Sequence, residues 1–490
     1  MREVLDALLY HASDRPKAIA ISDGARSVTY EELAHLVLSN AKLFTPLPDR
    51  VAILAENSIE WVIADLALAF CGKTTIPVPT FFSVEQFTHI IKNANARHIL
   101  CSKNTKPIAS ALGVPISTID DVPDTQEMSW AECIGENAGR IIYTSGTTGA
   151  PKGVRLGSKQ ITASAQALGE AISATQDDVY LSVLPFSLLL EQITAIAAPL
   201  LIGARVELAP DCATQAAKGD PSGIITAFEQ TRPNVSVLVP SLLGAWVMGL
   251  AQSQMKAPDS LRFVAVGGAP VANKLLNAAQ SVGIPAFQGY GLSECCSVVS
   301  VNRLGDNKSG TVGKPLDGIN ITIDDGEIVI SGDTVMNGYL GDKNPNGVWR
   351  TGDLGEIDKD GNLRVLGRKD NILVSANGRN VNPEWIEALI EDMPSIAKAI
   401  LLLDNDGRIV VLLAPAMAGE HELNQMGEEA RHKIVLESLN GIPDYAIPMR
   451  HALVNIGELA ASNLLTPSGE ARRKELQKNI EKWLPRSAAA

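Results

Sequence analysis

Tyr143-Thr-Ser-Gly-Thr-Thr-Gly-Ala-Pro-Lys-Gly-Val154 decides how the rest of the chain reads. Its three glycines, Gly146, Gly149 and Gly153, let backbone N–H groups come close to an anion. Thr144, Ser145, Thr147 and Thr148 add four hydroxyls able to donate to phosphate oxygens, and Lys152 adds a point charge. The loop is not a Walker A loop, because no Gly-Lys-Ser/Thr follows at the required spacing. A flexible Ser/Thr/Gly linker has a similar composition. A linker, however, is rarely preceded by an apolar strand (140–143) and followed by Ser158 and a long helical pattern. The stretch reads as a phosphate-binding loop standing on a strand.

Outward from it, apolar runs alternate with helical patterns from residue 1 to about 290. Strands are expected at 51–54, 75–78, 98–101, 140–143, 179–183, 205–208, 235–239 and 263–266, with helices at 58–70 and 84–94. Such alternation implies parallel sheets with helical crossovers. Beyond about 300 the pattern changes. The runs 321–323 and 327–330 flank Asp325-Gly326, and 355–358 and 363–366 flank Asp360-Gly361, which is the signal of antiparallel hairpins. From about 371 a smaller α+β pattern follows, with a helix at 383–392, strands at 399–403 and 408–413, and a basic helix at 471–484. The best boundary falls near 367–370.

Composition narrows the function. A chain of 490 residues calls for more than one domain. A net charge of −13 argues against a nucleic-acid partner. The six cysteines show no metal spacing and are too sparse for a disulfide framework, so reduced thiols in a cytoplasmic protein are expected. The N-terminus lacks the apolar core of a secretory signal, and the apolar runs 193–204 and 235–251 are too short or too broken to span a membrane. No histidine lies between Cys101 and Glu420, which weighs against serine-hydrolase and zinc chemistry in the middle of the chain.

The loop resembles the phosphate-binding loop of the adenylate-forming superfamily: acyl-CoA synthetases, peptide-synthetase adenylation domains and luciferases. Further stretches match that family in order over nearly the whole chain: Ser27-Val-Thr-Tyr-Glu-Glu-Leu33, Gly267-Gly-Ala-Pro270, Gly289-Tyr-Gly-Leu-Ser-Glu294, Gly326-Glu-Ile-Val-Ile-Ser-Gly332, Trp349-Arg-Thr-Gly-Asp-Leu354 and Gly367-Arg-Lys-Asp370. The resemblance implies an α/β fold. It comprises a large N-terminal domain (1–367) of two α/β lobes plus a β-rich, barrel-like subdomain, and a small mobile α+β C-terminal domain (368–490).

It also implies roles. Thr144, Ser145, Gly146, Thr147, Thr148 and Gly149 would hold the ATP phosphates, with Lys152 acting in catalysis. Tyr290, beside Gly291, would stack on the adenine, while Gly268, Ala269 and Pro270 line its other face. Glu294, with Thr144, would hold Mg²⁺, a hard carboxylate for a hard cation. Ser293 stands where the family usually has Thr and keeps the hydroxyl. Asp353 would accept hydrogen bonds from both ribose hydroxyls, with Arg368 alongside. Taken singly, the Asp of Thr-Gly-Asp reads as a turn residue and Tyr290 as core; the ordered set carries the reading.

Members of the family run two reactions in one site: a carboxylate attacks the α-phosphate of MgATP and expels pyrophosphate, then a thiol attacks the acyl-AMP. Asp370 matches the hinge residue about which the small domain swings between them. Arg379, in Ser375-Ala-Asn-Gly-Arg-Asn-Val-Asn-Pro-Glu-Trp-Ile-Glu387, would sit near phosphate in the thioester-forming state. Gly-Arg-Asn-Val-Asn-Pro-Glu and Leu464-Leu-Thr-Pro467 resemble long-chain fatty acyl-CoA synthetases most. The expected substrate is therefore a medium- or long-chain fatty acid, with CoA or an acyl carrier protein as thiol acceptor; an aryl or other small acid is the alternative.

Two departures stand out. Leu188, in Leu184-Pro-Phe-Ser-Leu-Leu-Leu-Glu191, occupies a position where fatty-acid enzymes often carry His; that apolar stretch suits an aliphatic chain and suits core packing equally. Glu470 replaces the C-terminal lysine that reaches the α-phosphate, a loss typically worth about 10²–10³ in rate. It leaves open a degenerate homologue that binds ATP or acyl-AMP without turnover. Arg472, Arg473 or Lys474 could substitute, or form a solvated helix face.

Overall fold

Helices begin where a side chain can take over a backbone donor that the helix leaves unpaired. Thr29, Ser58 and Ser83 each accept a hydrogen bond from the N–H three residues on, which starts the helices Tyr30–Phe44, Ile59–Phe70 and Val84–Asn93. The computed structural model describes residues 1–120, 129–133, 135–144, 151–212, 215, 220, 222–375, 379–393, 395–416, 419–439, 442–465 and 471–484. They form two compact units.

The first unit comprises residues 1–268, 277–322 and 329–349. One of its sheets has six strands, in the spatial order Ile116–Thr118, His98–Cys101, Arg50–Leu54, Thr74–Pro77, Gly139–Thr144 and Lys152–Gly157. The first five pair in parallel; the last two form an antiparallel hairpin. The second sheet has nine strands. Its parallel centre runs Ala286–Leu292, Phe263–Val266, Val235–Leu238, Val179–Ser182, Arg205–Leu208, Ile19–Ser22. Antiparallel strands close both edges. Parallel strands are covered on both faces, which is why they read as continuous apolar runs and why every residue of Ile59–Phe70 but Glu60 is buried. A nearly fully buried Arg140–Asp65 ion pair ties the strand Gly139–Thr144 to that helix.

The second unit comprises residues 269–276, 323–328 and 350–490. Its centre is the sheet Ile396–Leu403, Ile409–Pro415, Arg450–Leu453. Alternation along these strands sends Ala399, Leu401, Val411 and Leu413 into one core with Ile386 and Ile390, and Ile400, Leu402, Val410 and Leu412 into another with Leu476 and Trp483. The β-rich stretch is a sheet of Ile319–Asp324, Glu327–Gly332, Val348–Ile357 and Leu363–Arg368 in chain order. Its first turn has Asp325 at φ +52° and Gly326 at φ +75°, the two left-handed residues of a type I′ hairpin turn. The expected helix over 471–484 is instead two short ones, Arg473–Lys478 and Ile480–Trp483, broken at Asn479 (φ −123°).

All six cysteines are buried and unbridged. No helix among the described residues is long and apolar enough to cross a membrane.

Candidate active site

The phosphate loop is the connection of the hairpin Gly139–Thr144/Lys152–Gly157, in which Thr144 pairs with Lys152. Ser145, Gly146, Thr147, Thr148 and Gly149 lie outside the described residues. What frames them is described. Tyr143, buried, donates to Asn93 Oδ1 at 2.6 Å, and burial holds its phenol well above the ordinary tyrosine range. His89 Nε2 donates to the Pro151 carbonyl at 3.0 Å, which fixes the proton on that nitrogen, since a carbonyl can only accept. Both helix residues therefore brace the loop's strands from Val84–Asn93.

Glu294 sits in a single helical turn, Ser293–Cys295, directly after the strand carrying Tyr290 and Gly291. The strand pairing slips between Tyr290 and Gly291, a bulge of the kind that re-aims side chains beside sites. A Cβ at Gly291 would lie 2.0 Å from the Ser297 carbonyl oxygen, so only glycine fits there. Tyr290 is half-buried and Gly291 exposed.

A residue that sequence reasoning passed over joins two of the expected ones. The Tyr339 hydroxyl donates to Glu294 Oε1 at 2.6 Å, and Lys152 Nζ lies 5.3 Å from the centroid of the Tyr339 ring. The backbone around Tyr339 is fastened at both ends: Met336 N–H donates to the Glu294 carbonyl at 2.8 Å, and Leu340 N–H to the Gly153 carbonyl at 2.8 Å. Tyr339 is 45 residues from Glu294 in sequence, and no local pattern marks it.

The second unit holds Ala269, Pro270, Asp353, Arg368, Asp370 and Arg379; Gly268, like Ser293, belongs to the first. Asp353 and Arg368 are cross-strand partners, with Arg368 Nη1 2.9 Å from Asp353 Oδ1. Asp353 is buried, and its backbone N–H is held by Thr351 Oγ1 at 3.0 Å. Glu327, also missed from sequence, anchors the neighbouring turn through Gly352 N–H (3.0 Å), Arg350 (2.9 Å) and Lys369 (3.2 Å). Asp370 is exposed in the turn Lys369–Asn371. Arg379 is exposed, with its guanidinium 5.8 Å from the Tyr445 ring centroid.

Of the cations near Glu470, which itself lies outside the described residues, Arg473 is committed elsewhere. It is half-buried and pairs with Glu387, with contacts of 2.6 and 3.1 Å. Arg472 and Lys474 are exposed.

The stretch expected to suit an aliphatic chain is largely spent on packing. Leu184, Phe186 and Leu189 are buried, and Phe186 packs against Trp61 at 5.1 Å between ring centroids. Glu191, at its end, is fully buried: Ser182 and Tyr180 hydroxyls donate to it, Tyr180 at 3.2 Å. Burial pushes its carboxyl up to about 8, against the pull of those hydrogen bonds. One turn of π-helix, Gln192–Ala197, follows.

The donor set suits the group it is expected to bind. No cluster of three or more His, Cys, Asp or Glu that could cage a metal occurs among the described residues. A single carboxylate such as Glu294 suits Mg²⁺, which keeps waters and takes its remaining oxygens from phosphates.

A model of the AMP-binding enzyme family matches residues 8–340. A 2-succinylbenzoate–CoA ligase of Bacillus cereus is 30% identical over 425 residues, covering 80% of this chain and 83% of that one. Among solved structures, the fold is similar to anthranilate CoA ligase AuaEII in complex with anthranoyl-AMP (TM-score 0.84, 20% identity, 98% and 97% of the two chains). It is similar also to the o-succinylbenzoate CoA synthetase of Bacillus subtilis in complex with ATP and magnesium (TM-score 0.79, 23% identity, 96% and 99%).

Proposed function

The chain belongs to the AMP-binding enzyme family, and from that premise we propose that it activates an aryl carboxylic acid as its acyl-adenylate and passes the acyl group to coenzyme A. It is an ATP-dependent acid–thiol ligase, and the Glu294 carboxylate suits Mg²⁺ as its cation. The observation that carries the aryl reading is the relative at 30% identity across four-fifths of both chains, a ligase of 2-succinylbenzoate. The fatty-acid expectation gives way to it. That expectation rested on the resemblance of Gly-Arg-Asn-Val-Asn-Pro-Glu and Leu464-Leu-Thr-Pro467 to long-chain fatty acyl-CoA synthetases; in the apolar stretch ending at Glu191, Leu184, Phe186 and Leu189 are buried, as core packing requires.

Bound with ATP, Mg²⁺ would supply neutralisation of phosphate charge. The chain's own residues do the rest. Glu294, with Thr144, presents oxygen to the cation. Lys152 and residues 144–149 hold the phosphates, Tyr290 stacks on the adenine, and Asp353, oriented by Arg368, accepts the ribose hydroxyls. These are interactions that position the α-phosphate for in-line attack by the carboxylate. Residues 368–490 then turn about Asp370 to admit the thiol, bringing Arg379 towards phosphate.

ATP–pyrophosphate exchange over a panel of acids tests the substrate. Aryl acids, 2-succinylbenzoate among them, are expected to drive exchange well above every medium- and long-chain fatty acid. A fatty acid that outpaces all aryl acids overturns the aryl reading.

A further inference from the structure

We infer that Tyr339 is a positioning residue for the adenylation step, setting the Glu294 carboxylate relative to the strand that carries Lys152. The inference rests on the placement of Mg²⁺ at Glu294 proposed above and adds the group that orients that ligand.

A carboxylate on a flexible glutamate arm can rotate to offer either oxygen in several directions. In this chain one oxygen, Oε1, is fixed by the Tyr339 hydroxyl at 2.6 Å, which sets the orientation of the whole carboxylate. The hydroxyl is itself held by a rigid mount. Val154 and Tyr339 form an antiparallel bridge. Hydrogen bonds run from Asn337 N–H to the Arg155 carbonyl (2.8 Å), from Arg155 N–H to the Gly338 carbonyl (3.1 Å) and from Leu340 N–H to the Gly153 carbonyl (2.8 Å). Residues 337–340 thus run as a short added strand along the one that leaves the phosphate loop. The Tyr339 ring rests edge-on against Trp349 (5.8 Å between centroids), and Lys152 Nζ lies near its face. The phosphate-loop strand is therefore joined to the Glu294 carboxylate through the Tyr339 side chain, and to the Glu294 backbone through Met336. Groups that hydrogen-bond a ligating carboxylate typically matter about 10–100-fold in metal affinity or activity when removed.

Tyr339→Phe removes the hydroxyl and keeps the ring against Lys152 and Trp349. The readout is ATP binding by calorimetry at a series of Mg²⁺ concentrations, with no acid present and hence no turnover. For Tyr339→Phe, the Mg²⁺ needed for half-maximal ATP affinity is expected to rise about tenfold or more. AMP binding without metal, and the melting temperature of the unliganded protein, are expected to stay at wild-type values. Combined with Glu294→Gln, its effect is expected to be less than additive, because the hydroxyl holds that carboxylate.

Wild-type Mg²⁺ dependence in Tyr339→Phe, alongside an impaired Glu294→Gln, overturns this inference and leaves the placement of the cation standing. Unaltered Mg²⁺ dependence in Glu294→Gln overturns that placement and the inference together. A fall in the unliganded melting temperature of Tyr339→Phe matching its loss of binding assigns Tyr339 to packing and likewise overturns the proposal.

Discussion

Glu191 is a carboxyl placed where a carboxylate is costly. Fully buried and supplied with hydroxyl donors by Ser182 and Tyr180, it keeps its proton to about pH 8, whereas an unfolded chain releases it near 4.5. Between those values the folded state holds the extra proton, so rising pH favours the unfolded chain. Stability falls by about 1.4 kcal/mol per pH unit through that window and levels off above it. Urea unfolding at several pH values compared between wild type and Glu191→Gln should show the variant with the flatter profile; equal slopes would mean that Glu191 ionises normally. Arg473 shows the same logic reversed. Its charge lies beside Glu387 and Glu384, so the sequence's basic cluster at 472–474 is one paired structural cation with two exposed neighbours.

Turns and hairpins carry the argument at the next scale. At Gly326 an added Cβ would meet only Leu354 Cδ2, at 3.8 Å, so space does not dictate glycine there. The backbone does, since φ is +75°. Gly326→Ala is expected to lower unfolding stability by about 1 kcal/mol through the left-handed conformation alone, a shift readable in chemical denaturation with activity retained. A neutral result would mean that the turn relaxes.

This turn was legible because Asp-Gly between alternating apolar runs is a purely local signal. So were most strands, whose ends fall within a residue or so of their apolar runs. The helix over 471–484 misread because its pattern continues through Asn479, where the backbone leaves the helical region, while Leu476 and Trp483 on either side still pack into one core. Tyr339 and Glu327 stayed hidden for a different reason. Each acts on a partner far along the chain, and a single sequence carries no record of that pairing. The order of strands in the two large sheets was equally out of reach, since parallel strands all read alike.

At the scale of the whole molecule, the proposed reaction in two parts assigns a hinge to Asp370, which lies inside the second compact unit. Asp370, exposed in a one-turn element, has room to change its dihedrals. Asp370→Pro locks φ near −65° and is expected to leave acyl-AMP formation largely intact while suppressing thioester formation. Quenched-flow product analysis should then find acyl-AMP accumulating. Equal loss of both products would deny Asp370 a hinge role.

The burial of every cysteine has its own consequence for an enzyme whose second substrate is a thiol. Burial raises the thiols of Cys212 to about 11 and Cys296 to about 12, so neither offers a thiolate at neutral pH. Thiolates are what attack disulfides. The folded protein should therefore be silent towards a coloured aromatic disulfide reagent, and coenzyme A consumption can be followed directly against that silence. In guanidinium the same reagent should report six equivalents per chain. Rapid colour from the native enzyme would reveal a thiol that opens to solvent. Mixed disulfides with oxidised coenzyme A, a hazard for any protein working in its presence, then form only as fast as the chain unfolds.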